Sequence, residues 1–172
     1  MPTLLSLDYF LTNFLARSIL HNIFFDYFFS FFSMKGGSIL IWITIIVLLI
    51  IFEEKINKKF ILYFLIALVI TSTVVFGLKN TVKRARPTTV CEKDFSFPSA
   101  HASTAFAAAT IFTYFDKKRK GLYYTIAVLI SYSRIYLGCH YFFDVISGAI
   151  IGYIISQLLL FVPGTFPFHR KS

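Results

Sequence analysis

The chain has 172 residues, of which 57% are hydrophobic and only 15% charged, with 22 Phe and 10 Tyr. A soluble domain carries about 25% charged residues, so this composition excludes an ordinary water-facing globule and points to an all-α protein embedded in a bilayer. The net charge of +9 sits in short basic clusters between apolar runs, as in membrane loops, so anionic lipid rather than nucleic acid is the expected neighbour.

In chain order, residues 3–33 are aromatic and apolar but are interrupted by Asp8, Arg17 and Asp26. Without a basic leader they do not read as a cleavable signal; they read as an N-terminal interfacial or spanning element. A spanning helix needs about 20 mostly apolar residues. The stretch from Gly36 to Phe52 is uncharged and slightly short of that. Phe60 to Leu78, Ser99 to Phe115, Gly121 to Gly138 and Phe142 to Val162 follow, broken only by small polar residues, Arg134 and Asp144. The expectation is an integral membrane helical bundle of five to six transmembrane helices, a single domain over 1–172 without repeat or linker.

Alternation of spans puts the loops at 53–59 and 116–121 and the C-terminal tail on one side, and the 79–98 loop and the turn at Cys139 on the other. The first side holds nine Lys and Arg, among them Lys117, Lys118, Arg119 and Lys120. The second holds seven, three of which (Lys79, Arg86 and Arg134) are accounted for by chemistry below. The positive-inside rule therefore assigns the first side to the cytoplasm.

Three stretches on the second side carry unusual polar residues. In "KNTVKRARP", Lys79 closes a span and Arg86 precedes Pro87; Arg offers a rigid fork to phosphate oxygens and Lys a point charge. A snorkelling basic loop would look the same. In "FPSAHAS", Pro98 suits a first helical turn, whose free amides make an anion site, with the Ser99 hydroxyl and His101 close by. An ordinary helix start with a packed histidine is the bland alternative. In "SRIYLGCHYFFD", His140 and Asp144 are spaced i, i+4 on one helix face, so the carboxylate can fix the tautomer and leave the other ring nitrogen as nucleophile. A structural His–Asp bond would account for that pair but not for Arg134, a charge at membrane depth.

Taken together, the three stretches supply phosphate donors, a nucleophile with its orienter, and a second histidine. His21 and His169 are remote, no Cys/His spacing suits zinc, and neither a metal nor another cofactor is expected. The order Lys79-x6-Arg86-Pro87, Pro98-Ser99-Ala100-His101 and Ser133-Arg134-x5-His140-x3-Asp144 resembles the signature of the type 2 phosphatidic acid phosphatase superfamily. The resemblance covers residues 79–144 directly, and one position departs from it: Ala100 stands where the family often has Gly.

That resemblance implies a bundle of about six spans and a metal-independent lipid phosphatase. It implies His140, His101 and Asp144 as catalytic residues, and Lys79, Arg86, Ser99 and Arg134 as holders of the phosphate. His140 attacks phosphorus, Asp144 orients it, and His101 protonates the leaving oxygen and then activates water. It also implies a lipid substrate without an obligate protein partner, in a bacterial inner membrane with the site facing the periplasm. Lipid A 1-phosphate is the first candidate, with undecaprenyl diphosphate and phosphatidylglycerol phosphate as alternatives, or a phosphotransferase with the same site. Lys83, Arg84 and Lys93 read as headgroup contacts. Cys91 and Cys139, both on the extracytoplasmic side, either form a disulfide or remain two thiols. Gly148 and Gly152 form a small-xxx-small pair that lets helices approach within the bundle.

Overall fold

The computed structural model describes residues 3–34, 37–53, 59–88, 91 and 93–161. Lys35, Lys55, Lys58, Arg170 and Lys171, counted above among the basic residues of the two sides, and His169 lie outside the described residues, as do both ends of the expected domain. The described residues form seven α-helices: α1 (Leu4–Arg17), α2 (Ile23–Ser33), α3 (Gly37–Phe52), α4 (Lys59–Val82), α5 (Ala100–Phe115), α6 (Lys120–Tyr136) and α7 (Phe142–Phe161). A 3-10 turn at Lys117–Arg119 joins α5 to α6.

All five apolar segments predicted from sequence are helices within a few residues of their expected ends. The ambiguous N-terminal stretch is two short helices, α1 capped by Thr3 and α2 by Asn22, whose Oδ1 accepts from Phe25 N at 2.9 Å. Asn and Thr are strong N-caps because their side-chain oxygens satisfy amides that a first turn leaves free. By length and composition α4 and α7 can each cross a membrane, and α2 with α3 adds a third candidate as one bent span. The outward faces of α3, α4 and α7 expose Leu, Ile, Val and Phe, including Val69, Phe76 and Leu158, a surface that suits lipid and not water.

The centre of the bundle is α5, which packs against α4, α6 and α7. Its Ala102, Ala105, Ala107, Ala108 and Ala109 are all fully buried, so neighbouring backbones come close. Phe112, near its far end, meets the rings of Trp42, Phe60, Phe64 and Tyr123 at centroid distances of 5.2 to 5.6 Å; each such pair is worth about 0.5–1.5 kcal/mol beyond area burial.

At that end Arg119 bridges Asp116 and Glu53 at 2.7 and 3.0 Å, and the Tyr123 hydroxyl donates to Asp116 at 2.5 Å. That network ties the α5–α6 junction to the end of α3. The residues singled out for chemistry gather at the opposite end.

Between α5 and α7 the approach is closest. A Cβ on Gly148 would lie 2.5 Å from the Ser99 carbonyl oxygen, and one on Gly152 would collide with the Ser103 backbone. The Ser156 hydroxyl adds a bond to the Ala107 carbonyl at 3.2 Å. The small-residue pair thus acts within one chain, as expected.

Candidate active site

The turn between α6 and α7 carries His140, and its shape follows from Gly138. With φ at 68°, Gly138 occupies the left-handed region that a residue with a Cβ adopts only at a cost. Gly138 N donates to the Ile135 carbonyl at 2.9 Å and Cys139 N to the Arg134 carbonyl at 2.9 Å, the pair of bonds that closes a helix in a Schellman motif. His140 N also reaches the Arg134 carbonyl, at 3.1 Å. The histidine is therefore pinned by a backbone bond three residues beyond the helix cap at Leu137.

His140 is almost fully buried. Its Nε2 lies 2.9 Å from Arg86 Nη1, and a guanidinium only donates. The lone pair is thus on Nε2 and the proton on Nδ1, which faces Asp144 Oδ2 at 3.6 Å, just beyond hydrogen-bond length. Burial pulls the imidazole down to about 4; Asp144 draws it up, while Arg86 and Arg134 push it further down. The ring is neutral near pH 7, the form in which it can attack phosphorus. His101, on the first turn of α5, meets the Met34 backbone and lies within electrostatic reach of His140, Arg134 and Arg86.

Lys79 and Arg86 come together through a residue that the sequence did not single out. Asp94 Oδ2 lies 3.1 Å from Lys79 Nζ, and Asp94 Oδ1 accepts from Arg86 Nε at 3.1 Å and also from Nη2. Lys79 also donates to the Phe95 carbonyl, and Arg86 Nη1 to the Cys139 carbonyl at 3.0 Å. Burial raises the Asp94 carboxyl, but the bonds from Arg86 and Lys79 outweigh it and hold it below the usual carboxylate range. A half-exposed carboxylate thus sits on two of the cations expected to take a phosphate.

Cys91 and Cys139 form a disulfide with Cα atoms 5.6 Å apart. It ties Cys91 to the turn beside His140, where Thr88 adds a bond to the Gly138 carbonyl at 3.2 Å.

Two expected phosphate ligands are differently occupied. The Ser99 side chain caps α5, accepting from Ala102 N at 3.5 Å, and its amide donates to the Asp144 carbonyl at 2.9 Å. Pro98, expected inside the first turn, precedes that cap, because α5 begins only at Ala100. Arg134, buried between α2 and α6, donates to the Ser33 carbonyl at 2.9 Å and to the Ser33 hydroxyl.

Arg84 is not the headgroup contact expected of it. It reaches inward and donates to Asp144 Oδ1 at 2.6 Å and to Asp8 Oδ2 at 2.5 Å. Asp8 and Asp144 are both fully buried. The one signal available in the sequence was a carboxylate in an otherwise aromatic stretch, since a buried acid demands a partner.

A bundle of apolar helices with a histidine, a carboxylate and paired cations at one end defines an enzyme that handles phosphate at a membrane. The PAP2 superfamily pattern matches residues 60–166, and the chain belongs to that superfamily: it is a membrane-lipid phosphatase. It is 33% identical over 147 residues to the undecaprenyl-diphosphatase of Sulfolobus acidocaldarius, covering 81% of this chain and 71% of that one. It is 30% identical over 165 residues to the lipid A 4'-phosphatase of Bacteroides thetaiotaomicron, covering 83% and 72%. The crystal structure of Aquifex aeolicus LpxE superposes with a TM-score of 0.72 at 29% identity, over 90% of this chain and 94% of that one.

Proposed function

We propose that the chain hydrolyses a phosphate from a membrane-lipid headgroup through a phosphohistidine on His140, without a metal ion. The observation that carries this reading is the orientation of His140, with its lone-pair nitrogen toward Arg86 and its protonated nitrogen toward Asp144. Nε2 attacks phosphorus, the phosphorus–oxygen bond to the lipid breaks, and His101 donates a proton to the leaving oxygen. His101 then takes a proton from water, which attacks the phosphohistidine, frees orthophosphate and regenerates His140. Lys79 and Arg86, with the first amides of α5, hold the oxygens on which charge develops. Arg134 and Ser99 join them by exchanging their contacts with Ser33 and Ala102 for the phosphate.

Lipid A 1-phosphate ranks first as substrate, because Lys83 and Lys93 are exposed beside the cradle and suit a headgroup with a second anionic group. Undecaprenyl diphosphate and phosphatidylglycerol phosphate are the alternatives. The site faces the periplasm of a bacterial inner membrane in this reading. Supporting it are the basic Lys117–Lys120 cluster at the opposite end of the bundle and a disulfide beside the site, which suits an oxidising compartment. The protein acts as a single domain over 1–172, without an obligate partner.

Phosphate release by the purified protein, with EDTA present and across the three lipids, tests the reading. Wild type should release orthophosphate and His140→Ala should not. Turnover by His140→Ala would overturn the nucleophile assignment, and transfer of labelled phosphate to another lipid would make the chain a transferase.

A further inference from the structure

Helix α1 reaches the proposed nucleophile through a continuous set of polar contacts. The first three amides before and within α7 are each satisfied by a different side chain. Tyr141 N donates to Asp144 Oδ2 at 2.9 Å, Phe142 N to Thr12 Oγ1 at 2.9 Å, and Phe143 N to Asp8 Oδ1 at 2.8 Å. Two of these caps come from α1, more than 120 residues earlier in the chain. Arg84 completes the arrangement, its fork shared between Asp8 and Asp144 and its guanidinium 4.1 Å over the Tyr141 ring.

Both oxygens of Asp144 are thereby committed: Oδ1 to Arg84, and Oδ2 to Tyr141 N with its remaining side toward His140. Asp144 cannot turn without breaking a charge-assisted bond, and those are about twice as strong as neutral ones.

We propose that Arg84 and Asp8 are positioning residues for the nucleophile, Arg84 holding Asp144 against His140 and Asp8 holding Arg84. The proposal rests on the reading of His140 as nucleophile. The cluster of Asp8, Arg84 and Asp144 carries a net charge of −1, so its members also set how readily His140 takes a proton. Removing the Arg84 cation makes protonation of His140 easier; removing the Asp8 anion makes it harder. Arg86 of the loop, His101 of α5 and Arg134 of α6 also face His140, and Tyr141, whose hydroxyl meets that of Tyr9 in α1, lies against Asp144.

The test measures kcat, KM and the pH profile of lipid phosphate release for Arg84→Gln, Arg84→Lys, Asp8→Asn and His140→Ala. Each profile is taken as a ratio to wild type, in which the titration of the lipid cancels. Arg84→Gln should lower kcat at least about tenfold with KM changed less than about threefold, since a lost orienting contact acts on the transition state. Its acid limb should move up by roughly half to one pH unit. Arg84→Lys should keep the wild-type limb and recover part of kcat. Asp8→Asn should move the limb down, which reads the same coupling if Arg84→Gln does not accumulate folded.

Equal losses in the Gln and Lys variants with no shift of the limb would make Arg84 a mere strut and overturn the proposal. Wild-type behaviour of all the Arg84 and Asp8 variants, with His140→Ala inactive, would overturn the proposal alone. Turnover by His140→Ala would overturn the nucleophile reading and this proposal with it.

Discussion

Arg86 donates to Nε2 of His140 at 2.9 Å, so the nitrogen proposed to attack phosphorus is already held by a cation. Attack requires that bond to open. An arriving phosphate offers Arg86 a stronger acceptor than an imidazole nitrogen, so the substrate itself can draw the guanidinium away and expose the lone pair.

Asp94 competes with that phosphate, because it occupies Arg86 and Lys79 together. Asp94→Asn should lower the inhibition constants of vanadate and orthophosphate by about threefold to tenfold, the effect of removing one charged competitor. Inhibition titrations on wild type and variant check this, and weaker anion binding by the variant would show that Asp94 helps the site. Its folded carboxyl is held below the ordinary value of 3.8, so its contribution to stability is present above that pH and fades as pH falls below it.

His140 should make the fold sensitive to acid. Its folded value near 4 lies below the ordinary 6.5, so between those values the unfolded chain binds a proton that the folded chain does not. Stability therefore falls as pH drops through this window. His140→Gln should flatten the slope by up to about 1.4 kcal/mol per pH unit, as read from denaturation in detergent from pH 4 to 7. An unchanged slope would mean that the ring is charged in the fold.

The disulfide closes a loop of sequence separation 48, for which chain entropy gives a stabilisation of about 4 kcal/mol. Reduction, or Cys91→Ser with Cys139→Ser, should lower the melting temperature and lower kcat, since the loop carries Arg86 and Asp94. Paired melts and assays with and without reductant measure both effects.

Gly152→Ala should force α7 away from Ser103 of α5, costing about 1–3 kcal/mol and reducing turnover by separating His101 from Asp144. Gly77→Ala in α4 is the matched control, since a Cβ there meets nothing within 4 Å. Equal melting temperatures for the two variants would contradict the close approach.

The helices were legible because long apolar runs announce themselves, and the four-residue spacing of His140 and Asp144 paired the two. His140 nevertheless lies in the turn before α7, not on a shared helix face, because α7 begins only at Phe142. Arg84 and Asp94 were not legible in the same way. Both sit in an irregular loop, where no periodicity says which side chain turns inward, and "KRAR" offers three cations with equal claim. Asp8 was misread as an interruption of an apolar stretch, because its partners lie 76 and 135 residues away. Ser99 could be assigned to the start of α5, but whether its hydroxyl caps the helix or faces a ligand depends on a rotamer.

The caps that Asp8 and Thr12 place on α7 bear on how the protein is made. Helices α1 and α7 share a polar joint, so that joint cannot close until both have been synthesised. Until α7 is made, Asp8 lacks its Phe143 partner and Thr12 its Phe142 one, and an incompletely partnered carboxylate is expensive at membrane depth. A nascent chain that has not yet made α7 lacks both this joint and Asp144, so the proposed site assembles only once α7 is in place.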